Sequence, residues 1–263
     1  MPEAAARQRT KDGFFAEFAS EYCYVLCPRI RPFNVRAYRK HPVMNKFVYR
    51  LGIAGGRVVF FFTVRKYQVR PEIAERPGGY VLALTHLGHV DPFCSCIIVR
   101  RTIRWMARKE FFKFRIAALA LRLMGAFSVN RQGIPVSSIR RAIEHAKNGE
   151  VVGICPEGGR AIGPAAAIRG GKIKQGVCSI AIRSCVPVVP CVMLGTEDLN
   201  RVGPWLPAKR ARIWVIYGEP LQPPAGKSNR ASRLALRAQL SEAYIKLYAE
   251  LCQKFGLKDA SQA

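Results

Sequence analysis

Residues 85–93 read THLGHVDPF, which places two histidines and an aspartate within six positions. Imidazole and carboxylate groups this close can do two kinds of chemistry. They can ligate a divalent metal, or they can work as a general base and the carboxylate that orients it. A third reading is a polar loop in which Asp91 only caps a helix that has Pro92 at its first position. The metal reading, a hydrolase using His86, His89 and Asp91, needs further ligands at fixed spacing. The other two histidines, His41 and His145, stand in no ligand-like context, so no metal is expected. The base reading needs only His86 at the end of a strand and Asp91 at the start of a helix, with a turn that brings them together.

Other blocks carry groups suited to a phosphate-bearing ligand. MGAFSVNR, residues 124–131, sets Gly125, Phe127, Val129 and Arg131 at two-residue steps, a strand that presents an arginine at its end. ICPEGGR, residues 154–160, is an apolar run followed by a turn with Glu157, Gly158 and Arg160. GGKIKQG, residues 170–176, puts Lys174 in a glycine-rich turn before a helix. VPVVPCVML, residues 186–194, is a strand carrying Pro187 and Pro190. Arginine pairs with phosphate through two parallel N–H groups, and glycine lets a backbone approach a ligand closely.

These groups need elements to hold them. From residue 80 apolar strand-like runs alternate with helix-like ones. Strands are expected at 80–85, 102–107, 126–130, 151–155, 187–193 and 212–217. Helices are expected at 91–99, 111–124, 135–148, 174–184 and 229–255, the last with Leu236, Leu240, Tyr244, Leu247 and Leu251 at helical spacing and Gly256 at its end. Such alternation predicts an α/β fold: a mixed, mostly parallel sheet flanked by helices. Two units are expected, an N-terminal segment 1–70 and a catalytic domain 71–263.

The chain of 263 residues is 49% hydrophobic, enough for a sizeable core, and carries a formal net charge of +26. That field favours anionic partners: acidic lipid, nucleic acid or phosphorylated small molecules. No nucleic-acid motif accompanies it, so nucleic acid is not the expected partner. Residues 29–70 hold eleven Lys and Arg and no Asp or Glu, interleaved with aromatic and aliphatic residues. The longest apolar stretch is broken by Arg57 and falls short of the roughly 20 residues needed to cross a bilayer. The segment is expected to be a basic amphipathic helical element lying on an anionic membrane, its alternative being a face packed on the main domain. The nine cysteines are odd in number, form no CxxC pair and sit largely in apolar runs, as in a reducing compartment. No signal peptide is read at the N-terminus.

Taken in order, the four blocks resemble those of the glycerolipid (lysophospholipid) acyltransferases, the 1-acylglycerol-3-phosphate acyltransferases in particular. The H-x4-D block is similar to His86–Asp91, the G-x5-R block to Gly125–Arg131, the P-E-G-T-R block to residues 156–160, and the V-P-V-x-P block to Val186–Pro190. The likeness spans roughly residues 78–220. Two positions depart from it: Gly88 stands where a small polar residue is usual, and Gly159 where threonine is. The resemblance implies that His86 takes the proton of an acceptor hydroxyl and that Asp91 orients it. That hydroxyl would attack the thioester of acyl-CoA or acyl-carrier protein, a co-substrate rather than a bound cofactor. Arg131, Glu157, Gly158, Arg160, Lys174 and Lys109 would bind a glycerophosphate, and Val186, Pro187 and Pro190 would shape the acyl site. The acceptor implied is a lysophospholipid, and the location a membrane surface on its cytoplasmic face. A different lipid acceptor is the alternative within the same chemistry.

Overall fold

The computed structural model describes residues 46–88, 90–108, 121, 125–129, 136–201, 211–226 and 228–257. Helix α1, Lys46–Thr63, runs directly into strand β1, Val64–Val69, and a single helical turn, α2, Pro71–Ala74. Then follow β2 (Tyr80–Leu84), α3 (Asp91–Ile98), β3 (Ile103–Arg108), β4 (Phe127–Val129), α4 (Val136–Lys147) and β5 (Val151–Ile154). The chain continues through α5 (Gly176–Ser184), β6 (Val188–Leu194), β7 (Ala211–Tyr217) and the long α6 (Arg230–Phe255).

The strands form one sheet in the order β1-β7-β6-β2-β5-β3-β4. Every neighbouring pair is parallel except β6 and β7, as the expected mixed, mostly parallel sheet requires. β2 is central and buried on both faces, so its sequence YVLAL is apolar throughout. Its side chains alternate between two cores. Val81 and Ala83 pack with α4, α5 and α6, while Tyr80, Leu82 and Leu84 pack with α1 and α3. The result is three layers, helix, sheet and helix.

All six expected strands are present, within a residue or two at their ends. β1 is an additional one. Its sequence VRKYQV buries Val64 and Val69 and exposes Arg65 and Lys66, the habit of an edge strand, where charges discourage further pairing. It occupies the end of the basic segment, so the sheet begins before residue 71. The expected helix at 111–124 lies mostly outside the described residues. Pro190, inside β6, offers no N–H to the ladder but keeps its carbonyl in use, accepting Gly218 N–H at 2.8 Å. This link lies between the Cys191–Tyr217 pair and the Val188–Leu221 bridge.

The helix α6 is closed at both ends by local chemistry. Asn229 and Ser232 exchange side-chain and backbone hydrogen bonds of 2.7 and 3.0 Å in a capping box, and Gly256 ends the helix at φ +60°. The buried stripe is the one expected, Leu236, Leu240, Tyr244, Leu247 and Leu251. Tyr244 also donates its hydroxyl to Ala83 O at 2.9 Å, tying α6 to the central strand. On α1, Ile53, Gly56, Phe60 and Thr63 face the domain, whereas Leu51, Val58, Val59, Phe61 and Phe62 are exposed. Among the described residues no helix is long and apolar enough to cross a membrane.

Candidate active site

Open α/β sheets hold their ligands at the carboxyl ends of the strands, and the chemically active side chains gather at that edge. Thr85, His86 and Leu87 extend from the end of β2. The chain then turns back at Gly88 and enters α3 at Asp91. Val90, not Asp91, is the cap of this helix, and no side chain caps it, so the capping reading of Asp91 does not apply. The Asp91 side chain is fully buried. Its Oδ2 accepts hydrogen bonds from the backbone N–H groups of Leu87 (2.8 Å) and Gly88 (2.9 Å) and lies 3.2 Å from His86 Nδ1. Its Oδ1 accepts from the hydroxyl of Thr196. A carboxylate held this way fixes the imidazole by one nitrogen and leaves the other available to accept a proton.

The loop after β5 closes the site. Glu157 accepts the backbone N–H of His86 on Oε2 (2.5 Å) and that of Ala167 on Oε1 (2.8 Å). Burial pushes its carboxyl above the usual range, against those two N–H groups, which pull it down. Each oxygen accepts one backbone N–H, so Glu157 joins the β5 loop to the β2 loop. Ala161 N–H donates to His86 O at 3.0 Å, a second tie. Gly158 adopts φ +79°, a conformation glycine takes without strain, and the Lys174 side chain lies across it, its Cδ 2.8 Å from where a Cβ would stand. Lys174 N–H donates to Pro156 O at 2.7 Å. Arg160 and Lys174 are both exposed.

The structure thus brings together His86, Asp91, Glu157, Gly158, Arg160 and Lys174. It does not bring Val186 and Pro187 to them. Val81 N–H donates to Pro187 O, which sets these two residues beside the start of β2, at the opposite edge of the sheet. Pro190 pairs with Ala83 in mid-sheet. Lys109, Arg131 and His89 lie outside the described residues. Among the described residues no group of three His, Cys, Asp or Glu is placed to hold a metal ion. The sequence reading passed over Thr196. The signal available was a hydroxyl just past the C-terminal end of a strand parallel to β2, the same edge that carries His86.

The general family model for acyltransferases matches residues 63–194. The chain is 32% identical over 145 residues to the 1-acyl-sn-glycerol-3-phosphate acyltransferase of Bacillus subtilis, covering 55% of this chain and 67% of that protein. It is 25% identical over 157 residues to the enzyme of the same name from Streptococcus pneumoniae, covering 59% of this chain and 54% of that protein. The chain belongs to the acyltransferase family. As an O-acyltransferase, it is not the metal-dependent hydrolase that the two histidines and aspartate also allowed. In fold it is similar to the crystal structure of the 1-acyl-sn-glycerophosphate (LPA) acyltransferase, PlsC, from Thermotoga maritima. The TM-score is 0.53 with 19% sequence identity, over 90% of this chain and 89% of that one. The matched region of the acyltransferase contains His86, Asp91, the Glu157–Arg160 turn and Lys174.

Proposed function

We propose that this acyltransferase moves a fatty acyl chain from an acyl thioester to the free hydroxyl of 1-acyl-glycerol-3-phosphate, giving phosphatidic acid. The observation that carries the reading is the His86–Asp91 pair at the open edge of the sheet, with the turn that bears Arg160 tied to it by Ala161 N–H and His86 O, and with the Lys174 side chain across Gly158 of that turn. The names of the curated relatives support the acceptor. Asp91 keeps the Nδ1 proton of His86, so Nε2 takes the proton of the acceptor hydroxyl. The hydroxyl oxygen attacks the thioester carbonyl carbon, and the carbon–sulfur bond breaks as the tetrahedral intermediate collapses. The imidazolium returns the proton to the leaving thiolate. A thioester needs no further activation, so no metal enters this scheme. The donor is acyl-CoA or acyl-carrier protein. Arg160 and Lys174 hold the acceptor phosphate by charge and hydrogen bonds; the resemblance adds Arg131 and Lys109 to that set. The apolar exposed face of α1, with Arg50, Arg57, Arg65 and Lys66 around it, rests on an anionic membrane surface and brings the site to its lipid.

The test is a panel of acceptors with purified protein, supplied with labelled acyl-CoA or acyl-carrier protein. Label should appear in phosphatidic acid when the acceptor is 1-acyl-glycerol-3-phosphate. Faster acylation of a lysophospholipid without a phosphate monoester would sink the acceptor assignment. His86→Ala should abolish turnover while the fold persists, and undiminished turnover in that variant would remove the base from the scheme.

A further inference from the structure

We propose that Thr196 is a positioning residue of this acyltransferase: its buried hydroxyl fixes the Asp91 carboxylate so that Oδ2 faces His86. The proposal rests on the reading of His86 and Asp91 as the catalytic pair.

Asp91 and Thr196 are each fully buried, and the Thr196 hydroxyl donates to Asp91 Oδ1. Oδ2 takes the N–H groups of Leu87 and Gly88 and faces Nδ1. Among the described residues Thr196 supplies the donor to the other oxygen. Without it, that oxygen is a buried anionic acceptor with no partner, a costly state that the carboxylate relieves by turning. Turning draws Oδ2 away from the imidazole. The chain delivers this hydroxyl by a specific route. β6 runs parallel to β2 and ends at the same edge, and Gly195 follows at φ +86°. A Cβ at Gly195 would collide with Arg212 O and stand 3.1 Å from Trp214 Cζ3, so the absence of a side chain lets the chain pass close against β7 at the end of β6 and place the Thr196 hydroxyl on Asp91. Thr196 lies beyond the family match, which ends at residue 194.

Gly88 is the complement of this arrangement. A Cβ there would collide with the Thr196 hydroxyl, at 2.9 Å from Thr196 Cβ and 3.0 Å from Asp91 Oδ1. Positions 88 and 196 compete for one volume beside one carboxylate oxygen. A serine at 88 can therefore take over the hydroxyl's task, provided residue 196 is trimmed.

The experiment compares T196V, T196A, T196S, G88S and the double variant G88S/T196A in full-length protein. The readouts are kcat and KM for 1-acyl-glycerol-3-phosphate and acyl-CoA, with circular dichroism to check folding. T196V and T196A should lower kcat roughly 10- to 100-fold, as slight misplacement of a catalytic group does, with both KM values within about twofold because neither substrate is touched. T196S should keep kcat within about threefold of the parent. G88S alone should lose activity through the collision, and G88S/T196A should be faster than T196A. A parental kcat in folded T196V, a loss confined to KM, or T196S no better than T196V each overturns the proposal. If T196V and T196A do not fold, the double variant decides: recovery of folded, active enzyme upholds the proposal and its absence overturns it. H86A is run alongside. Turnover in H86A defeats the catalytic pair itself, whereas a dead H86A with a parental T196V defeats the role of Thr196 alone.

Discussion

Asp91 is fully buried and Glu157 half-buried, and their tasks differ because their partners differ. Asp91 meets His86 and Thr196 through side chains, whereas among the described residues Glu157 meets the backbone of His86 and Ala167. The resemblance implied that Glu157 binds the glycerophosphate, since a Glu–Gly–Gly–Arg turn shows which groups are present but not where their oxygens go. The hydrogen bonds add a second task, holding the loop. Glu157→Gln exchanges one acceptor for an NH2 group that must face a backbone N–H. Leaving a buried donor unpaired costs about 1–3 kcal/mol. The variant is expected to unfold at correspondingly lower denaturant concentration and to lose activity through displacement of His86. A conservative polar swap with unchanged stability would show that the two N–H contacts contribute nothing. The same geometry explains why Gly88 is informative. It is not an empty position but the room that Thr196 fills.

At the scale of elements, α1 shows how exposure separates two readings that composition leaves open. One stripe, Ile53, Gly56, Phe60 and Thr63, packs on the domain, and Arg57 Nε donates to Ile97 O at 3.2 Å. The same helix leaves Phe61 and Phe62 exposed, their rings 5.3 Å apart at 85°. One helix therefore both packs on the domain and carries an exposed apolar face on its other side. Because β1 follows without a break and is a strand of the sheet, truncation through residue 70 would damage the fold. Point substitution on the outer face isolates membrane contact. Phe61→Ser with Phe62→Ser is expected to lower co-sedimentation with anionic liposomes several-fold and to leave the melting temperature unchanged. Equal co-sedimentation of parent and variant would assign binding elsewhere in the chain.

For the whole molecule, charge acts in two ways. The net +26 is a long-range property, suited to drawing the protein toward anionic surfaces and weakened by salt. At the far edge of the sheet charge is local and structural. Arg104 donates to Glu150 at 2.7 and 3.1 Å, and His145 Nδ1 meets the other Glu150 oxygen at 2.5 Å. Burial alone would raise this carboxyl, but the hydrogen bonds from His145 and Arg104, with the Arg104 charge, outweigh it and bring it down to about 2. A carboxyl depressed on folding stabilises the fold above its unfolded value of about 4.3. That contribution is lost as pH falls through the folded value. Stability is therefore expected to decline between roughly pH 5 and pH 2, with Glu150→Gln less stable at neutral pH and flatter over that window. Parallel pH profiles for the two proteins in urea denaturation would contradict this.

The sequence by itself determined the α/β class, six of the strands, and the C-terminal helix with its buried stripe. Each of these is a local pattern: apolar runs of strand length and a helical period. The pairing of His86 with Asp91 was one of three readings of a local stretch, favoured by the resemblance. The edge strand β1 escaped because an edge buries only part of its surface, so VRKYQV shows no apolar run. The antiparallel placement of β7, the distance of Val186 and Pro187 from the site, the backbone role of Glu157 and the hydroxyl of Thr196 were decided by tertiary structure alone. They depend on which strand lies beside which and on which ends share an edge. The contact from Thr196 to Asp91 spans 105 residues, and only the parallel register of β6 with β2 brings its two ends together.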